Sequence, residues 1–212
     1  MREKLFIIGF LILSLSTYSQ SSKIKFGLKG GMNLFNFRIE QPKEYLKTEI
    51  NSKFNVGFFA GIFVNYNFNN KIRVQIEPNF QKKQTEISIS RKIGILYTDQ
   101  DYDIKKIFSE YSFESPLIVR LALNKKVSLE GGFNFVYIFK ERENGNIENE
   151  NYFESFERSR NINEFETGLI IGGLYNISNN IGLNLRYNYS LNQKDEEFLN
   201  KRIINIGIEY QI

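Results

Sequence analysis

Between Phe54 and Phe68 the chain alternates without a break. Phe54, Val56, Phe58, Ala60, Ile62, Val64, Tyr66 and Phe68 take the even positions, and Asn55, Gly57, Phe59, Gly61, Phe63, Asn65 and Asn67 the odd ones. Successive strand side chains leave on opposite faces, so a period of two specifies a strand with one apolar face. Its length is the sharper constraint. Globular strands usually run about 5 to 6 residues, whereas a tilted strand crossing a bilayer needs about 9 to 11. The run exceeds both, which points to a closed barrel of membrane-crossing strands.

The same pattern recurs along the chain. Ile24, Phe26, Leu28, Met32 and Leu34 form a first strand, and Asn69-Asn70 turns the second strand into a third built on Ile72, Val74, Ile76 and Phe80. Pro78 lies in that third strand, and its missing N–H predicts a bulge there. Strand four carries Phe113, Leu117, Val119, Leu121 and Leu123; strand five Val127, Leu129, Phe133, Phe135, Tyr137 and Phe139. Strand six uses Phe165, Thr167, Leu169, Ile171 and Tyr175, strand seven Ile181 to Leu191, and strand eight Ile204 to Ile212. Polar stretches at Phe37–Lys53, Gln84–Lys106, Glu141–Asn163 and Lys194–Asn200 read as loops; the turns at Asn69, Asn124 and Ser178 are short. Long and short connections thus alternate, as an even-stranded barrel with both termini on the periplasmic side requires. The expected fold is an all-β, eight-stranded antiparallel up-and-down transmembrane barrel with four long external loops and three short periplasmic turns.

The first nineteen residues read as a signal peptide. Arg2 and Lys4 precede an apolar stretch from Leu5 to Leu15, and Thr17-Tyr18-Ser19 sets small residues where a peptidase reads them, placing cleavage after Ser19 and a barrel domain over 20–212. Removing Arg2, Lys4 and Glu3 changes the net charge from +4 to +4 − 2 + 1 = +3. No basic stripe marks a nucleic-acid surface. The chain lacks Cys and His, which excludes disulfides, thiolate zinc sites and histidine acid–base chemistry. No cofactor and no enzymatic activity is expected.

A soluble ligand-binding barrel shares the period of two but turns its apolar face inward. Here the second face is rich in Gly, Asn and Ser, which suits a narrow lumen, so the apolar face is expected to meet lipid. The inward set then contains Lys25, Lys29, Arg73, Arg120 and Arg186 against Glu77, Glu114, Glu130, Glu166 and Glu209. Five charges of each sign predict a salt-bridge network plugging the lumen, because charges taken out of water are costly unless paired. A charged ion path is the alternative.

Two loop features bear on binding. Asp99, Asp101, Asp103 and Glu110 fall at positions 1, 3, 5 and 12 of a calcium-loop pattern, but Ile104 stands where that loop needs Gly, so the segment reads as a solvated acidic loop. The Glu-rich run from Glu141 to Glu157, broken by Tyr152, Phe153 and Phe156, reads as solvated, with a partner-binding role as the alternative. The expected contacts are outer-membrane lipid and a protein partner through the external loops, with the barrel itself a monomer.

At Phe26-Gly27-Leu28-Lys29-Gly30-Gly31-Met32-Asn33, Gln75-Ile76-Glu77-Pro78-Asn79-Phe80, Phe113-Glu114-Ser115-Pro116-Leu117 and Gly182-Leu183-Asn184-Leu185-Arg186-Tyr187 the chain resembles the PorT-like outer-membrane β-barrel family. The resemblance runs over most of the chain after the signal. It implies an eight-stranded barrel in the outer membrane of a Gram-negative bacterium, with PorT itself associated with protein export by the type IX secretion system. A structural or interaction protein working through external loops, an accessory of type IX-like secretion, and a small porin-like channel all fit that resemblance. The chain departs from the usual aromatic terminus of such barrels, ending in Ile212 after Tyr210.

Overall fold

The computed structural model describes residues 23–40, 48–93, 100–149, 152–192 and 198–212, with the backbone alone at 91–93, 100–102, 149 and 198–199. The targeting segment and Asp99 of the acidic stretch lie outside the described residues. The strands are β1 (Ile24–Ile39), β2 (Thr48–Asn67), β3 (Ile72–Ile76 continued by Asn79–Ile93), β4 (Gln100–Glu114 continued by Leu117–Ala122), β5 (Val127–Asn149), β6 (Tyr152–Asn176), β7 (Ile181–Ser190) and β8 (Phe198–Gln211). Each pairs antiparallel with the next. β8 returns to β1, with Leu28 opposite Tyr210 and Met32 opposite Ile206, and the ring of eight closes. Closure leaves the membrane-level backbone with no free edge, the condition for crossing lipid with strands.

The outward face carries the apolar side chains. Leu28, Met32, Phe58, Ile62, Val119, Phe133, Ile171, Leu185 and Ile208 are all about half exposed or more. A water-soluble barrel would not leave such a belt uncovered. β7 is the shortest uninterrupted strand, with 10 residues; at about 3.4 Å per residue and a tilt near 45° it spans about 25 Å, the height of an outer-membrane apolar band. Phe58, Phe80, Phe113 and Phe139 form an aromatic ledge across four adjacent strands, with successive ring centroids 6.2, 6.0 and 5.2 Å apart.

The three short turns share one chemistry. Asn69 Oδ1 accepts from the backbone N–H groups of Lys71 and Ile72 at 2.8 Å each. Asn124 Oδ1 does the same for Lys126 and Val127, and Ser178 Oγ for Asn180 and Ile181. A side-chain acceptor at the first turn position takes the amides that the ladder leaves over.

Pro78 makes no bulge. From Gly61↔Asn79 to Val64↔Ile76 both strands advance by three residues, so the register is unbroken. The proline faces outward and its level is shared with Pro116 on β4, whose carbonyl accepts from Glu77 N at 3.1 Å. The loss is a ladder hydrogen bond, with no added residue. The bulges among the described residues lie higher, at Phe54–Phe58, Phe37–Ile39, Tyr111–Ser112 and Ile138–Lys140. Between Phe54↔Thr85 and Phe58↔Lys82, β2 spends one residue more than β3. Face parity therefore flips, and Ile50 points inward although Phe59 and Phe63 do so from odd positions below it.

The polar stretches expected as loops are largely strand. β3 continues to Ile93, β4 begins at Gln100, β5 runs to Asn149 and β6 starts at Tyr152, so the hairpins project well past the apolar belt. The reason is environmental: past the lipid the outer face is wet and need not be apolar, so the sequence loses its alternation, and cross-strand pairing with an inner face still partly buried at Phe37, Ile50 and Ile87 maintains the strand.

Candidate functional site: the charged lumen and the projecting sheet

The inward positions fill the lumen in layers. Nearest the short turns, Lys29 on β1 lies directly opposite Glu209 on β8, and Arg120 on β4 directly opposite Glu130 on β5. Arg120 Nε donates to Glu130 Oε1 at 2.5 Å, and its Nη2 donates to both Glu209 oxygens at 2.5 and 2.7 Å. Arg186 on β7 forms a fork on Glu77, with Nη1–Oε2 2.6 Å and Nη2–Oε1 2.7 Å, and its Nε reaches Glu130 Oε2 at 2.5 Å. Lys29 Nζ completes the set on Glu77 at 2.9 Å and Glu209 at 3.2 Å. Three cations and three carboxylates thus compensate one another, all of them buried. Bidentate, charge-assisted bonds of this length are the strong kind.

Gly172 on β6 stands between Glu130 and Arg186 in the ladder. A Cβ there would sit 2.7 Å from Arg186 Cγ and 2.4 Å from the Leu185 carbonyl oxygen. The missing side chain is what lets the guanidinium cross a whole strand to its carboxylate.

A second chain of charges lies further toward the long hairpins. Lys83 on β3 contacts Glu110 and Glu114 of β4 at 2.6 Å each. Lys201 on β8 contacts Glu110 and, at 2.6 Å, Glu166 on β6. Gln81 and Asn134 add amide donors to Glu114 Oε2 at 2.9 and 2.6 Å. Above this layer the lumen turns apolar. Phe35, Phe37, Ile50, Ile87, Phe108 and Ile203 make a buried cluster, with Phe37 edge-on to Phe35 at 5.0 Å and to Phe108 at 5.5 Å.

Of the ten charges expected inside, six form the lower cluster: Lys29, Glu77, Arg120, Glu130, Arg186 and Glu209. Glu114 and Glu166 belong to the upper chain. Lys25 and Arg73 stand apart at the turn-side mouth, where Lys25 is exposed and Arg73 half-buried, neither with a carboxylate in ion-pair reach among the described residues. Lys83, Glu110, Lys201 and the apolar cap escaped the sequence reading. The signal was available: Lys83 continues the parity of Glu77 and Gln81, Glu110 that of Glu114, and Phe35 and Phe37 that of Lys29 and Asn33. Each lies where alternation on the other face fades.

Beyond the cap, β3, β4, β5 and β6 continue as a sheet. β5 and β6 pair without a break from Lys140↔Asn161, in register with the Glu110 layer, out past the cap to Asn149↔Tyr152, about 30 Å in all at roughly 3.4 Å per residue. β7 ends at Ser190, opposite Gly168, so Tyr152 to Glu166 has no strand partner on its second side among the described residues. Lys106–Glu143 at 2.8 Å, Arg142–Glu157 at 3.4 Å and Arg160–Glu141 at 2.7 Å tie the sheet's faces. The Glu141 hydrogen bond holds the Arg160 guanidinium above its ordinary pKa. Tyr152, Phe153 and Phe165 stay exposed. Asp103 accepts from Ser90 Oγ at 2.6 Å on this sheet, while Glu110 faces the lumen. Two of the four calcium-pattern residues thus leave the strand on opposite faces, and no group of three metal-ligating side chains occurs among the described residues.

A closed ring of eight with an apolar exterior and a polar, charged interior is the build of an outer-membrane barrel, and the sequence matches the outer membrane protein beta-barrel domain family over residues 18–196. The chain belongs to that family. Membership in the outer membrane protein beta-barrel domain family places the protein in a Gram-negative outer membrane. No curated protein sequence matches it significantly. Among solved structures, it is similar to Ail, the attachment invasion locus protein of Yersinia pestis, in complex with the heparin analogue sucrose octasulfate, at 17% identity and TM-score 0.49, covering 89% of this chain and 99% of that one. It is also similar to the outer membrane protein OprG from Pseudomonas aeruginosa, at 12% identity and TM-score 0.44 over 89% and 95% of the two chains. The E. coli outer membrane protein W gives 13% identity and TM-score 0.39 over 91% and 100%.

Proposed function

We propose that this is a non-enzymatic outer-membrane interaction protein: a barrel with a plugged lumen that presents a projecting sheet for a partner strand. The observation that carries the reading is the edge of β6. From Tyr152 to Glu166 its backbone offers N–H and C=O groups with no strand beside them among the described residues, above a wall that closes completely below. A free edge recruits another strand by main-chain hydrogen bonds, with flanking side chains setting specificity. Glu154, Glu157, Arg158, Arg160 and Glu164 punctuate this edge with both signs of charge. Such charges discourage indiscriminate pairing and favour a strand of complementary pattern. The lumen supports the non-conducting half of the reading, since a compensated cluster of six charges and a chain of two lysines on three carboxylates lie beneath an apolar cap. Before insertion the chain is exported with loss of the first nineteen residues.

The test is affinity purification of a tagged copy from the membrane fraction in mild detergent, beside a variant in which residues 141–163 are replaced by a two-residue turn. Heat-modifiable migration of the variant establishes that its barrel is folded. A protein recovered with the full chain and lost from the shortened one supports the reading; a protein recovered equally with both places the contact elsewhere. The PorT-like motifs support one finer version, an accessory of type IX-like secretion, in which the recovered partners are export components.

A further inference from the structure

The turn-side mouth of the barrel carries a charge imbalance that the wall does not need. Arg73 on β3 and Arg120 on β4 are direct cross-strand neighbours, an arrangement of like charges that destabilises a sheet. Arg120 is fully engaged with Glu130 and Glu209. Glu209, the one carboxylate side chain lining the mouth among the described residues, also receives Lys29 at 3.2 Å and lies 3.6 Å from Arg186. Among the described residues nothing acidic is left within ion-pair distance for Arg73, Lys25 or Lys125, which line the same cavity of about 160 Å³. Asn65 also lines it, is 1% exposed, and its Oδ1 finds no hydrogen-bond partner among the described residues. Turned over about its amide, Asn65 presents an N–H donor to the cavity in place of that orphaned acceptor.

We propose that this mouth binds a phosphate-class anion, seated between the Arg73 guanidinium, the Lys25 and Lys125 ammonium groups and the Asn65 amide. A planar guanidinium suits two phosphate oxygens at once, and two lysines supply the remaining charge as point donors. The cavity is several water volumes in size, enough for a phosphate group, and a second cavity of about 460 Å³ that shares Lys25 and Arg73 leaves room for whatever the phosphate is attached to. The anion is either free inorganic phosphate or the headgroup of an inner-leaflet lipid reaching the rim. The site lies at the opposite end of the barrel from the projecting sheet and does not depend on the function assigned to that sheet.

The test uses the full mature chain, isotope-labelled, in dodecylmaltoside, whose headgroup is uncharged. Inorganic phosphate is titrated against sodium chloride of equal ionic strength while the Arg73 Nε–H and Asn65 amide resonances are followed. Saturable shifts at both, absent with chloride, are expected. In Arg73→Gln the Asn65 shift should require at least about tenfold more phosphate, the loss of one charge-assisted contact. Lys25→Gln, which gives up no ion pair, should weaken binding in the same direction and serves if the arginine variant does not fold. Short-chain phosphatidylglycerol that displaces phosphate identifies a lipid headgroup as the source; failure to displace it identifies the free anion. Shifts that never saturate, that chloride reproduces, or that persist unchanged in both variants overturn the proposal.

Discussion

Replacing Arg120 with Met is the sharpest perturbation of the lumen. The side chain volume is nearly kept, but three hydrogen bonds go, one to Glu130 and two to Glu209. The lower cluster passes from three cations and three carboxylates to two against three. Glu209 then keeps two cations among the described residues, Lys29 at 3.2 Å and Arg186 at 3.6 Å, and long amide contacts from Gln75 and Asn184 at 3.5 Å each. Breaking a buried ion pair by removing one partner costs about 3–5 kcal/mol, because the survivor is left charged and dry. Adding Glu209→Gln restores two against two and should recover most of the loss, since a neutral replacement of both partners is nearly without cost. The chain has no Trp, so unfolding in urea is best followed by far-ultraviolet circular dichroism of the refolded protein in lipid vesicles, with heat-modifiable migration as the check on folding. A single variant within about 1 kcal/mol of the parent, or a double variant as unstable as the sum of its parts, would refute the reasoning that charge compensation holds the lower lumen together.

Three further outcomes follow from the same geometry. Lys83→Met strips its cation from Glu110 and Glu114 and should also cost about 3–5 kcal/mol in urea unfolding, with Lys83→Arg far milder. Gly172→Val drives a side chain into Arg186 and the Leu185 carbonyl, and should cost at least about 2 kcal/mol by the same assay. Asn124→Ala removes two bonds to turn amides and should cost only about 0.5–1.5 kcal/mol, leaving heat-modifiable migration intact.

How much of this was legible in the sequence depends on where lipid is. Between Ile181 and Ser190 or Val56 and Tyr66, apolar alternation is imposed by the bilayer, so strand, face and register could be read directly. Along Gln84 to Ile93 or Glu141 to Asn149 no such pressure acts, and strands looked like loops. The inward charges were visible as residue types on one parity, which brought Arg120, Arg186 and Glu77 to one face. Their division into a lower cluster and an upper chain was not visible, because it depends on shear around the ring: Glu77 and Arg186 are 109 residues apart in sequence. The parity flip at Phe54–Phe58 hid Ile50, and with it the apolar cap. Pro78 misled because a proline can lose its ladder bond without adding a residue.

The central claim, a barrel whose own side chains close it, is tested most directly by single-channel recording of the refolded protein in a planar lipid bilayer. Silence across both polarities in molar salt is predicted for the parent. Stable, reproducible conductance steps from the heat-modifiable parent barrel would contradict it.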